Sequence, residues 1–175
     1  MLTVSQKAYV NLAEFLALPE SMAHVELVEG EVVLAPAPHP RHQQVSVRLF
    51  RTLDAWAVAH PPAWAVYAPI DVLFGEDTVL QPDLALFLSH PGDAQPLQQI
   101  PELVVEILSA NRAYDRMAKR LMYMRAGVRE YWMVDPHLRC VELSTSLTQM
   151  VTVGDRMESR LAAGWSVPVQ DLWRP

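Results

Sequence analysis

The chain has one cysteine, Cys140, so no internal disulfide can form, and a reducing, cytoplasmic setting is expected. Basic residues are also scarce. Against 20 Asp and Glu stand 14 Lys and Arg, a formal charge of −6, which removes the broad basic footprint of tight non-specific nucleic-acid binding. A local basic strip stays open, from Arg41, Arg48 and Arg51 or from Arg112, Arg116, Lys119 and Arg120. No long apolar run exists that could cross a membrane as one helix: the longest uncharged stretch, Ala55 to Ile70, is broken by Pro61-Pro62. An export signal is not visible, since Lys7 and Glu14 interrupt the first segment and no small-residue cleavage site follows it. A soluble protein is expected. Glycine-rich phosphate loops, nucleophile elbows, internal repeats and low-complexity tracts are all missing, which disfavours acyl hydrolysis among other chemistries.

What is present suits a well-formed core. Apolar residues make up 51% of the 175 and charged residues 19%, a composition for one globular domain rather than disorder. The spacing of Ala8, Leu12, Phe15 and Leu16 predicts a helix from Ser5, as N-cap, to Leu18, stopped by Pro19. Alternation on either side of Gly30 predicts a β-hairpin, with Val25 and Leu27 on one face and Glu26 and Val28 on the other. A proline-rich loop leads to a second helix over 42–59, whose stripe is Val45, Leu49, Leu53 and Trp56. Strands are expected over 64–70, 72–74 and 79–88, the last carrying Asp83. The run 102–108 reads as the most central strand and carries Glu106. Ser109-Ala110-Asn111 is expected to cap a third helix over 112–125, stopped by Gly127, before a buried strand at 130–134 and short strands from Cys140 onward. The order implies an α/β or α+β domain with a mixed sheet.

Asp83 and Glu106 are the residues to explain, because a lone carboxylate in a buried strand is costly unless it is paired or holds a metal. Two carboxylates on neighbouring strands can share Mg²⁺, which often takes only one or two from the protein. A nearby lysine, Lys119, could orient or deprotonate an attacking water or offset developing charge. The bland alternatives stay open: Asp83 as a turn residue after Pro82, and Glu106 as a solvated edge position. In the third helix Tyr114, Met117 and Leu121 form one apolar stripe, which would leave Asp115 and Lys119 on the polar side. A second stripe (Ala118, Met122, Ala126) would turn Lys119 inward. His39 and His42 have a His-x-x-His spacing but no further zinc ligand nearby. Trp56, Trp64 and Trp132 are read as core residues, and Trp165 and Trp173 as covers for a sheet edge or a partner.

The ordered series formed by Glu26-Leu27-Val28-Glu29-Gly30-Glu31, His42-Gln43, Pro82-Asp83, Val105-Glu106-Ile107-Leu108-Ser109, Asp115, Lys119, Tyr123, Gly127-Val128 and Glu130 to Asp135 resembles the Uma-type restriction endonuclease family of the PD-(D/E)XK nuclease superfamily. The resemblance implies a single restriction-endonuclease-like domain over 1–175, with a nuclease core at about 20–145, and a mixed β-sheet flanked by helices. It also implies a metal-dependent phosphodiesterase site. Asp83 matches the acid of the Pro-Asp motif and Glu106 the second acid, both implied metal ligands. The usual superfamily lysine would stand at Leu108, so it is absent there, and Lys119 matches a position migrated into the helix. Glu26 matches a third carboxylate. His42 and Gln43 match a polar pair where substrate or metal-water contact is implied. From the residues alone, Asp115 and Tyr123 either support Lys119 or merely decorate the helix. The expectation is therefore a Mg²⁺-dependent (Mn²⁺ possible) endonuclease acting on nucleic acid, DNA above RNA, as a homodimer. Its competitors are an inert module of the same fold that binds nucleic acid or a protein, and a two-carboxylate glycosidase.

Overall fold

A computed structural model describes residues 9–19, 24–35, 37–109 and 113–174, with the side chains of 24, 35 and 113–116 left aside. The chain runs α1 (Leu12–Leu16), β1 (His24–Val28), β2 (Glu31–Ala35), α2 (Pro40–Ala59), β3 (Trp64–Tyr67), β4 (Val72–Leu73), β5 (Val79–Leu80) and β6 (Leu84–Phe87). Then follow β7 (Leu103–Ile107), α3 (Ala113–Ala126), β8 (Glu130–Asp135), β9 (Cys140–Ser144), β10 (Val151–Val153), β11 (Arg156–Glu158), β12 (Ser166–Pro168) and a 3₁₀ turn at Val169–Trp173.

The first helix is shorter than its apolar spacing predicts. Asn11 and Glu14 form a reciprocal capping box, each side chain accepting from the other's backbone N–H at 2.9 Å, and this starts the helix at Leu12. Ser5, the expected cap, lies outside the described residues, as do Ala110 and Asn111 of the expected cap of the third helix and Arg112, its expected first residue. β1 and β2 form the expected hairpin, closed by Glu29 and Gly30 with φ of 47° and 79°, the left-handed pair that a two-residue turn needs. α2 starts at Pro40, two residues earlier than expected, with the His39 side chain accepting from Arg41 N–H.

Two larger sheets result, one ordered β2-β1-β5-β4 and the other β10-β9-β8-β7-β6-β3. β7 and β8 pair in parallel across the crossover made by α3, and the other strand pairs of the six-stranded sheet are antiparallel. Thus β7 sits inside the sheet, as its unbroken apolar sequence predicts. Alternation along it divides the core. Leu103, Val105 and Ile107 pack with Val45, Leu49 and Leu53 of α2, while Val104 packs with Tyr123 of α3, Tyr131 and Met133 on the opposite face. No helix among the described residues is long and apolar enough to cross a membrane.

Two expectations change. The strand expected over 79–88 is two strands, β5 in the four-stranded sheet and β6 in the six-stranded one. Pro82 cannot donate to a ladder, so the chain leaves one sheet and enters the other across Gln81-Pro82-Asp83. Trp64, expected in the core, is 46% exposed on the edge strand β3, whereas Trp132 is buried and Trp56 half-buried.

Candidate active site

The register of β6 against β7 pairs Leu84 with Val105, so one step earlier Asp83 faces Glu106 across the strand ends. Both lie on the α3 side of the sheet by alternation, and both are buried, each 9% exposed. Asp83 is held firmly: Oδ2 accepts from the backbone N–H of Ile107 at 2.7 Å and stands 3.1 Å from His42 Nε2. His42 reaches it from the first turn of α2, around the end of the sheet. Glu106 is tied through Oε1, which accepts from Tyr123 Oη at 2.6 Å and from Lys119 Nζ at 3.4 Å. Lys119 also donates to Glu26 Oε1, at 2.7 Å.

α3 therefore turns Lys119, Arg120 and Tyr123 inward, while Met117, expected on the packed stripe, is 56% exposed. Of the two stripes that periodicity offered, the second is the packed one: Met122 and Ala126 pack with the cluster around Tyr123, and Lys119 faces inward. Glu26 joins from β1, on the face it shares with Val28, while Val25 and Leu27 pack with Phe15 of α1. The structure thus gathers Glu26, His42, Asp83, Glu106, Lys119 and Tyr123. Gln43 is exposed and forms no side-chain hydrogen bond to this cluster. The side chain of Asp115 lies outside what the structure describes. Sequence reasoning missed Gln81, whose backbone N–H donates to Glu26 Oε1 at 2.9 Å and whose amide Nε2 donates to Asp71 Oδ1 at 2.7 Å. Its place two residues before Asp83 was the one available hint.

The electrostatics follow from burial and crowding. Burial, reinforced by the charges of Asp83 and Glu26, pushes the Glu106 carboxyl up to about 7, even though Lys119 and the Tyr123 hydroxyl pull it down. Burial works against the Lys119 ammonium, but Glu106 and Glu26 outweigh it and hold the pKa above the usual lysine range. Tyr123 is raised well above its usual value by burial and by Glu106. His42 is raised as well: burial opposes its charge, but the bond to Asp83 and the charges of Asp83 and Glu106 overcome it.

Among the described residues no group of three or more His, Cys, Asp and Glu side chains is arranged to hold a metal ion by itself. The donor set fits a cation that asks for less. Among the described residues, the bonds to Asp83 all fall on Oδ2 and those to Glu106 on Oε1, which leaves one oxygen of each carboxylate without a partner there. A hard divalent ion satisfied by two carboxylate oxygens plus water and phosphate matches that pair.

No curated protein matches the sequence. A crystal structure of a putative nuclease from Anabaena variabilis superposes with a TM-score of 0.81 at 20% identity, over 94% of this chain and 97% of that one, a likeness of fold. The sequence family described as Uma2, putative restriction endonuclease, matches residues 12–170. With nearly the whole length matched, this chain belongs to the Uma2 family of putative restriction endonucleases.

Proposed function

We propose that this protein is a cytoplasmic, divalent-metal-dependent endonuclease that hydrolyses phosphodiester bonds in DNA, with Mg²⁺ (or Mn²⁺) held by Asp83 and Glu106. The observation that carries the reading is the meeting of Asp83 and Glu106 across two strand ends, each with one carboxylate oxygen unpartnered among the described residues, beside a charged lysine. When bound, the metal supplies a lowered pKa for its water and offsets charge on the phosphate being attacked. The residues of the chain do the rest. Ile107 N–H and His42 fix Asp83 through Oδ2. Tyr123 fixes Glu106 in the same way through Oε1. Glu106 and Glu26 outweigh burial and hold the Lys119 pKa above the usual lysine range, which favours its charged form. Its ammonium orients water and stabilises negative charge on the reacting phosphate. Arg41, exposed in the first turn of α2 beside His42, is suited to a neighbouring backbone phosphate. Two-fold pairing of such domains would let one assembly cut both strands.

Cleavage of supercoiled plasmid with Mg²⁺ or Mn²⁺ tests the reading. Asp83→Ala and Glu106→Ala should abolish metal-dependent cutting, and Lys119→Met should slow it by about 10²–10³-fold, the usual loss for one charge-stabilising group. Cutting that survives either carboxylate change would overturn the proposal. A second reading, an inert module of the same fold, draws on the −6 net charge. It predicts binding of a partner without metal and no cleavage by the wild type.

A further inference from the structure

Glu26 differs from the other two carboxylates of the cluster. It is 3% exposed and belongs to β1 of the four-stranded sheet, whereas Asp83 and Glu106 stand at strand ends of the six-stranded sheet. Its Oε1 takes two donors, Lys119 Nζ at 2.7 Å and Gln81 N–H at 2.9 Å, which use both lone-pair directions of that oxygen. One donor comes from α3 and the other from the segment that runs into Asp83. The Gln81 side chain fixes that segment further through its bond to Asp71. Lys119 is held by Glu26 more closely than by Glu106, at 2.7 Å against 3.4 Å.

We infer that Glu26 is a positioning residue for Lys119. A lysine head sits on a flexible four-carbon stem and loses rotamer freedom when it is fixed. Glu26 fixes it, and by sharing one oxygen between Lys119 and Gln81 it sets the ammonium relative to the Pro82-Asp83 turn. The inference rests on the nuclease reading for what Lys119 acts upon, but the placement can be tested without any cleavage.

The chain has two lysines, Lys7 and Lys119, so a nitrogen-15 spectrum of the side-chain ammonium groups is readily assigned with Lys7→Arg as control. In the wild type the Lys119 ammonium should give a slowly exchanging signal, which should broaden away in Glu26→Gln. Glu26→Asp, which keeps the charge but withdraws it by one methylene, should weaken the same signal and serves if the glutamine variant does not fold. Calorimetry with Mg²⁺ and a short DNA duplex should give affinities within about threefold of wild type for both variants, while kcat falls by about 10–100-fold with KM little changed, as for other supporting residues. An unchanged Lys119 signal in both variants would overturn the inference, as would loss of Mg²⁺ binding as complete as in Asp83→Ala. If the wild type cleaves nothing, the nuclease reading fails while the ammonium signal still decides the role of Glu26.

Discussion

Glu106 hovers near neutrality between its acid and its carboxylate, because burial holds it up at about 7. The folded chain therefore keeps a proton that the unfolded chain releases near the ordinary carboxyl value. Stability from this group is complete below that ordinary value and is lost as pH rises through about 7. Glu106→Gln, neutral and of the same shape, should melt several degrees above wild type at pH 8, a gain on the order of 1–3 kcal/mol, and close to wild type at pH 5. Equal melting shifts at both pH values would contradict this. His42 supplies a second check. Asp83 raises its pKa, so Asp83→Asn should lower it, as read by NMR titration of the imidazole. Asp83 and Glu106 stood out in the sequence as carboxylates in apolar runs, and Lys119 through the family resemblance; the structure brings the three together. Gln81 did not stand out, since its link to Glu26 is a backbone N–H that any residue but proline would bring.

Elements were legible where their own residues decide them and obscure where a distant partner decides. The hairpin of β1 and β2 announces itself through Gly30. A Cβ there would run into the Tyr9 ring, and φ is already 79°, so Gly30→Ala should cost about 2 kcal/mol or more in thermal melts. The inner face of α3 is the opposite case. Arg120 is 5% exposed, donates to Ser144 Oγ at 2.7 Å, and caps the carbonyls of Ser146, Leu147 and Gln149 at 3.0–3.2 Å. Those acceptors have no sequence signature, so periodicity left two stripes open and gave Arg120 no inward place. Arg120→Met should leave the carbonyls unpaired, at a cost of about 2–4 kcal/mol, and speed amide exchange across 145–150. Unaltered exchange in that loop would show that the arginine does not hold it.

At the scale of the molecule, the segment beyond 145 is part of the hydrophobic interior. Met157, Ala162, Trp165, Val167, Val169 and Leu172 lie in one hydrophobic cluster with Leu49 and Leu53 of α2. Trp165 Nε1 donates to Thr52 Oγ1, Trp56 Nε1 to the Ala163 carbonyl, and Arg48 to the Leu172 and Arg174 carbonyls. Short, weakly patterned strands hid this role, because their apolar residues are spaced by turns and find α2 only in the fold. A chain cut after Asp155 should lose its cooperative melting transition, and a native-like near-ultraviolet spectrum in that fragment would refute the assignment. The order of the residues along the chain has a bearing on synthesis. Lys119 meets Glu26 across 93 positions, and His42 meets Asp83 across 41. While the chain is being made, Glu26, His42 and Asp83 are joined before Lys119. A half-made copy therefore carries the acids without the cation that pairs with Glu26 and Glu106.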